Sequence, residues 1–218
     1  MPPRAVIWDL DGTLVDSRAY HWRAWRETLA ALGYSLTYEQ FLATFGWRNE
    51  EILRQLLGPD LPEEAVARIA AAKERRYRAL VQSEGLTLLP GARLWLERLH
   101  RAGWRQALAT SAPRQNVETI LAVLGIGAYF QATVCAEDVQ RGKPDPEIFL
   151  RAAVRLGVPP ARCVVVEDAP AGVEAARRAG MRVVGVLTSH PHLDADLVAP
   201  TLADLPPDAF DRLVPPDP

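Results

Sequence analysis

From Leu88 onward the sequence alternates short apolar runs with stretches of helical periodicity, and this alternation constrains the fold more than any other feature. Strands are predicted at Arg105 to Ala109, around Val134, at Cys163 to Val166 and at Arg182 to Leu187, with one more at Ala5 to Trp8. Helices are predicted between them: after Pro90-Gly91 to near Gly103, then Arg114 to Leu124, Pro146 to Leu156 and Ala171 to Ala179. Strands that are apolar on both faces must be covered on both, and strands separated by helices pair in parallel. The expected fold class is therefore α/β, a Rossmann-like parallel sheet core covered by helices on both faces. Ligands of such sheets gather at the carboxyl ends of the strands.

The stretch from about Ser17 to Ser83 departs from this rhythm, because it reads as helical with no strand between its helices. Trp22, Trp25, Leu29 and Leu32 recur at helical spacing, Asp16 or Ser17 is placed to cap the start, and Gly33 ends the helix. Further helices fit Glu39 to Phe45, Asn49 to Leu57 and Glu63 to Gln82, the last opened by Pro62. Such a run between strand-containing segments predicts an inserted all-helical cap domain over residues 16–87, with the core formed by 1–15 and 88–218.

Composition narrows the function classes. The 218 residues are 49% hydrophobic, enough for a sizeable core, and their 25 basic and 27 acidic residues leave a net charge of −2. No global positive excess is available for a nucleic acid. No segment approaches the roughly 20 apolar residues of a membrane helix, and the start Met1-Pro2-Pro3-Arg4 passes directly into a strand with no leader pattern. Cys135 and Cys163 each sit in an apolar run (Ala132 to Ala136, Cys163 to Val166) and read as reduced core residues. A cytoplasmic chain, monomeric with a dimer as the alternative, is the expectation. Only Lys73 and Lys143 are lysines, so a lysine here is an exception. The proline-rich tail from Pro206 to Pro218 reads as extended or frayed.

Four strand ends carry polar residues. The first gives Asp9-Leu10-Asp11-Gly12-Thr13, either an acidic turn or two carboxylates needing a cation or proton to coexist; a hard ion such as Mg²⁺ suits oxygen ligands. Glu167-Asp168 follows another apolar strand, and helix capping explains one of those acids but not acid pairs on two strands. Thr110-Ser111 reads as plain capping or as a phosphate-binding corner. Lys143, in the turn Arg141-Gly142-Lys143-Pro144-Asp145-Pro146, is either a solvated turn residue or a point charge bridging carboxylate and phosphate.

Taken jointly and in this order, these stations resemble the haloacid dehalogenase-like superfamily over nearly the whole chain. Asp9 to Thr13 looks like its first motif, Thr110 with Ser111 its second, Lys143 its third and Glu167-Asp168 its fourth. The strings around Asp16-Ser17, Gly142 to Phe149 and Glu167 to Gly172 are similar to the branch holding β-phosphoglucomutase and small sugar-phosphate phosphatases, whose helical cap follows the first motif. The resemblance implies a phosphoric monoester hydrolase in which Asp9 takes the phosphoryl group and Asp11 is the acid/base, while Gly12 supplies the turn. It further implies Mg²⁺ on Asp9, the Asp11 backbone carbonyl, Glu167 and Asp168, with phosphate oxygens held by Thr110, Ser111 and Lys143. The dehalogenases themselves are disfavoured, because they lack an acid at the position of Asp11 and use no metal.

Substrate choice falls to the cap. His21, within Tyr20 to Trp25, is either a helix-surface histidine or, by its neighbours' likeness to the mutase cap, a gate on the acid/base. The loop Phe45-Gly46-Trp47-Arg48-Asn49 looks like the specificity loop but has Phe45 and Asn49 where the mutases have Lys and Arg. Arg48 is expected to contact a distal group of the substrate, and Trp47 to line the pocket. These departures favour a phosphatase acting on a small phosphorylated metabolite, with a sugar phosphate the expected substrate, over a mutase, with a non-catalytic binding module as the remaining alternative. Lys73 to Arg78 reads as a solvated helix face with Glu74 and Arg78 paired, and His190-Pro191-His192 as a surface loop.

Overall fold

A computed structural model describes residues 3–214, so Pro215 to Pro218 of the proline-rich tail lie outside the described residues. The sheet has six parallel strands in the order β3-β2-β1-β4-β5-β6. They are β1 (Ala5–Trp8), β2 (Arg105–Ala109), β3 (Ala132–Val134), β4 (Cys163–Glu167), β5 (Arg182–Val186) and β6 (Leu197–Ala199). β1 lies between β2 and β4, with Ile7 opposite Ala107 on one side and Val165 on the other. All four residues of β1 are buried, because the sheet is covered on both faces.

Side-chain alternation along the strands divides the interior in two. Val6, Trp8, Leu108, Val164 and Val166 point to one core with α5 (Ala92–Arg101) and α6 (Arg114–Leu124). Ala5, Ile7, Ala107, Ala109 and Val165 point to the other, with α7 (Glu147–Leu156) and α8 (Pro170–Arg178). Four helices intervene between β1 and α5: α1 (Arg18–Ala30), α2 (Tyr38–Thr44), α3 (Asn49–Leu57) and α4 (Glu63–Glu84). They bury an apolar cluster of their own around Trp25, Leu29, Phe41, Leu53, Val66 and Ile69. The chain leaves and re-enters the sheet layer side by side, where Leu89 N donates to Leu14 O at 2.8 Å and Val15 bridges Leu88. No described helix is long and apolar enough to cross a membrane.

The predicted elements lie within about two residues of those observed, with three differences of substance. Leu32 is exposed, because α1 stops at Ala30 and the chain turns through Gly33 at φ +78°. The short edge strand β6 lacked a sequence signal, since three residues show no period. The largest correction concerns the described part of the tail, Pro206 to Val214, which is neither extended nor frayed: α9 (Ala209–Leu213) carries Phe210 into the core. Its ring lies 4.9 Å from Trp95 and 6.1 Å from both Trp8 and Trp104. Arg4 fastens the segment from the other end of the chain, donating to Asp211 at 2.6 Å and to Val214 O at 3.1 Å while stacking over Trp104. Three indoles around one phenyl ring account for the ordering, because burying an aromatic outweighs the entropy of fixing one helical turn. Phe210→Ala is expected to lower unfolding stability by about 3 to 5 kcal/mol in a urea titration. A loss under about 1 kcal/mol would mean the tail does not seal this core.

Candidate active site

β1 and β4 are neighbours, and their chains leave the sheet in different directions at the point where strand order reverses. Both end in acids. Asp9 N continues the ladder by donating to Val166 O at 3.0 Å, which sets Asp9 beside Glu167 and Asp168. One carboxylate oxygen from each of these three lies within 4.8 Å of the others, and all three residues are buried. Lys143 is driven between them: Nζ donates at 2.6 Å to both Asp9 Oδ1 and Glu167 Oε1 and lies 3.5 Å from Ala109 O. Glu167 Oε2 accepts from Asp168 N and Ala169 N at 3.0 Å each, at the start of α8. Both Glu167 oxygens are thus engaged, and Asp168 Oδ1 accepts from Thr13 Oγ1 at 3.3 Å.

Burial raises Asp9 well above the usual carboxylate range, reinforced by Glu167 and Asp168 and opposed by Lys143. Burial likewise lifts Asp168 to about 7, with the Glu167 charge adding to it. Lys143 loses hydration in the same place, but the facing acids outweigh that loss and hold its pKa above the ordinary lysine value. A site with three acids for one built-in cation favours a second cation. Gly12, at φ +84°, lets the backbone pass close to Asp168, because a Cβ there would collide with its carboxylate. The Gly12 carbonyl accepts from Thr188 Oγ1. Thr110 is buried at the end of β2, where its Oγ1 accepts from Ala112 N at 3.1 Å, while Ser111 is exposed.

Asp11 turns away from the three acids. Its Oδ1 accepts from Ser17 Oγ and lies 3.6 Å from His21 Nε2. His21 stacks on Tyr77 with centroids 4.1 Å apart, and its Nδ1 lies 2.9 Å from Lys73 Nζ. Burial alone would raise Asp11, but His21, Ser17 and Lys73 together hold it below its ordinary value. His21 therefore lies inward against Asp11 and is not a helix-surface residue. The solvated reading of Lys73 to Arg78 also fails: Lys73 is 2% and Glu74 7% exposed. Lys73 falls in register with the apolar stripe Val66, Ile69, Tyr77 and Leu80, and α4 is packed between α1 and α6. Glu74 does not pair with Arg78, which donates instead to Asn116 Oδ1 at 3.0 Å. Sequence reasoning missed Ser17, Lys73, Glu74 and Asn116 as site residues; the scarcity of lysine and the helical register were the signals available for Lys73.

The cap loop is divided. Gly46, at φ +92°, and Trp47 are exposed, with Trp47 retaining 49% of its surface. Arg48 reaches the turn bearing Lys143, where its Nε would lie 3.1 Å from a Cβ built on Gly142. Asn49 points inward and donates to Glu74 Oε1 at 2.8 Å. His190 and His192 are exposed as expected of a surface loop, although His190 Nδ1 lies 3.0 Å from the Asp168 carbonyl. Cys135 and Cys163 are free and buried. Gly172 sets a further limit, because a Cβ on it would overlap the Glu167 carboxyl group. Gly172→Ala is expected to displace Glu167, and with it Lys143, at a cost of about 1 to 3 kcal/mol in denaturant unfolding. Parental stability would show that α8 can shift aside freely.

Known proteins place this arrangement. A family model described as haloacid dehalogenase-like hydrolase matches residues 3–180. The chain is 37% identical over 184 residues to the fructose-1-phosphate phosphatase YqaB of Escherichia coli K12, covering 83% of this chain and 95% of that protein. It is 36% identical over 210 residues to the beta-phosphoglucomutase of Bacillus subtilis 168, covering 93% and 91%. The crystal structure of CbbY from Rhodobacter sphaeroides in complex with phosphate matches with a TM-score of 0.86 at 31% identity, over 96% of this chain and 99% of that one. A family match over most of the chain, joined to full-length likeness in sequence and fold, identifies this protein as a member of the haloacid dehalogenase-like hydrolase family.

Proposed function

We propose that the protein is a Mg²⁺-dependent phosphatase acting on a small phosphorylated sugar or similar metabolite through an aspartyl-phosphate on Asp9. The observation that carries this reading is the pairing of a buried nucleophile, Asp9, with a bridging ammonium, Lys143, next to an acid held apart from both, Asp11. Relatives named as a fructose-1-phosphate phosphatase and as a phosphorylated carbohydrates phosphatase support the substrate class.

Attack by a carboxylate on a phosphate is opposed by about 4 kcal/mol for two unit charges about 4 Å apart at an effective dielectric near 20. The clustered, oxygen-only acids with raised pKa values fit a hard divalent cation. Asp9, Asp168 and the Asp11 carbonyl would hold it, while Glu167, already engaged, aims Lys143. When bound, Mg²⁺ neutralises charge on the nucleophile and the transferring phosphoryl group. An Asp9 oxygen then forms the bond to phosphorus as the ester P–O bond breaks, and Asp11 delivers its proton to the leaving oxygen. Asp11 next takes a proton from the water that attacks the aspartyl-phosphate, releasing phosphate and restoring Asp9. Lys143, Thr110, Ser111 and the backbone around Gly12 hold the phosphate oxygens. Residues 16–87 act as the cap over this site, with Trp47 lining its mouth and Arg48 meeting the distal part of the substrate.

Hydrolase is favoured over mutase because the cap loop lacks the cations needed to retain a doubly phosphorylated intermediate: Phe45 is apolar, and Asn49 is turned onto Glu74. Incubation with β-glucose 1-phosphate and a trace of the bisphosphate separates the two, since a mutase yields glucose 6-phosphate and a hydrolase yields phosphate. A screen of phosphorylated metabolites should show phosphate release that needs Mg²⁺ and is lost to a chelator. Asp9→Asn should lower kcat by on the order of 10³-fold or more; full activity in that variant would exclude the aspartyl-phosphate. Lys143→Arg should lower kcat by about 10²-fold, because a planar guanidinium cannot take the compact place between Asp9 and Glu167. Near-parental turnover would make Lys143 an ordinary structural cation.

A further inference from the structure

Arg18, the first residue of α1, is a half-buried cation without a counter-ion. Its Nη2 reaches Ser189 Oγ at 3.2 Å and Thr188 O at 3.4 Å, both long for bonds from a charged donor. Neither acceptor carries a charge, and among the described residues no carboxylate pairs with the guanidinium. Nε is closed off from solvent and has no acceptor. Leaving a buried donor unmade is costly, and more so on a charged group. The position of Arg18 gives this deficit a meaning. Thr188 Oγ1 donates to Gly12 O, and the Ser189 hydroxyl bonds the Asp168 carboxylate, so the loop under Arg18 also borders the acid cluster. Ser189 Oγ therefore stands between Arg18 and Asp168, one of the three acids suited to a cation. On its other side the guanidinium lies 5.5 Å from the centroid of the Phe45 ring, and that ring lies 6.0 Å from His21, which faces Asp11. Arg18 thus spans the seam between insertion and sheet at the rim of the site, whereas Arg48 approaches at another point, the turn bearing Lys143.

What this guanidinium lacks is a planar anion of single charge. A carboxylate presents two oxygens at the spacing of two guanidinium nitrogens and sets one negative charge against one positive. A second phosphate would bring a charge of about −1.5 to −2, which one arginine does not balance. A sugar hydroxyl would take up a proton of the fork and leave the charge unpaired. Phe45 covers the guanidinium with an apolar ring, and the low local dielectric strengthens a charge pair formed there. We propose that Arg18 is a specificity-determining residue that receives a carboxylate carried by the substrate, so the preferred substrates are phosphate esters of hydroxy acids or sugar acids rather than of neutral sugars. A neutral sugar phosphate leaves the same cation unpaired in the closed site, and a site built to pair a polar group discriminates against a ligand that lacks the partner. The inference deepens the phosphatase reading and rests on it for turnover, but not for binding.

Two matched pairs isolate the carboxylate, because the members of each differ only in a carboxylate against a hydroxymethyl group: 3-phosphoglycerate with glycerol 3-phosphate, and 6-phosphogluconate with sorbitol 6-phosphate. The parent, Arg18→Gln and Arg18→Lys are compared on all four by steady-state kinetics with Mg²⁺, and melting temperatures check folding. The parent should favour the acid by at least about tenfold in kcat/KM in one pair or both. Arg18→Gln should bring that ratio to within about threefold of unity, through a raised KM for the acid. Arg18→Lys keeps the charge but loses the fork, so its ratio should fall between the two, and it reports even if Arg18→Gln folds poorly. A parent that treats acid and alcohol alike in both pairs overturns the proposal. So does a folded Arg18→Gln that slows both members equally, since Arg18 would then serve the shared phosphate or the seating of α1. A larger preference for fructose 1,6-bisphosphate over fructose 6-phosphate, lost in Arg18→Gln, would assign the cation to a second phosphate instead. Calorimetric titration of the same four compounds into Asp9→Asn, with and without Arg18→Gln, reads binding without turnover. If the parent hydrolyses none of them the phosphatase reading fails, while tighter binding of the acids that disappears with Arg18 still upholds the carboxylate site, and equal binding removes it.

Discussion

Lys143, held between Asp9 and Glu167, is the interaction on which the rest of this structure depends. Parallel strands β1 and β4 bring three carboxylates into a buried space, which a fold tolerates only if a cation is built in. The geometry of that ion pair explains several local features that otherwise look unrelated. Glu167 is fixed by the first amides of α8 so that its other oxygen is free for Lys143. Gly172 is bare because the Glu167 carboxyl fills the space of its side chain, and Gly12 is bare because Asp168 does the same there. Neutralisation remains incomplete, and Asp9 and Asp168 keep raised pKa values. That residual crowding of negative charge is what a bound cation would relieve.

Asp11 stands outside this cluster for a physical reason. A fourth carboxylate drawn into that buried space would add a like charge beside acids whose pKa values are already raised. Asp11 escapes by facing Ser17 and His21, which come from the beginning of the helical insertion. The two acids of one strand end thus have different environments: Asp9 belongs electrostatically to the sheet, and Asp11 to the cap. The insertion thus does more than cover the site, because it supplies the side chains that face Asp11.

Much of this was legible in the sequence, and what was not legible has identifiable causes. The parallel sheet could be read because its strands are apolar on both faces, and the helical insertion because no strand interrupts it. Asp9, Asp11, Glu167 and Asp168 could be located because they follow strands whose parallel arrangement brings the ends together, and Lys143 because it is one of two lysines and sits in a constrained turn. Asn116 and Glu74 carried no such sign. Their importance comes from meeting across two helices 42 positions apart, a contact that neither local period reveals. Phe210 escaped notice among prolines, whose frequency suggested disorder, although one aromatic residue opposite three tryptophans is enough to order a short helix. Lys73 was hidden by its neighbours: within a run of charges it resembled a solvated face, and only the 3.6-residue register placed it on the buried stripe.

The distribution of the two lysines now has a common explanation. At exposed positions the cation is arginine, frequently paired with an acid one helical turn away, as in Arg101 with Glu97, Arg151 with Glu147 and Arg178 with Glu174. There the long guanidinium can snorkel along the helix and keep its hydration. Lys73 and Lys143 are both almost fully buried, and each bonds two acceptors at 2.6 to 2.9 Å. The acceptors converge on one point, which a tetrahedral ammonium can occupy and a flat fork of five donors cannot without leaving protons unsatisfied. Lys143 balances the carboxylates around Asp9, and Lys73 bonds the histidine that faces Asp11. A chain that uses arginine for its other cations has lysine at the two places where a compact, buried charge is required, and these lie on either side of Asp9 and Asp11.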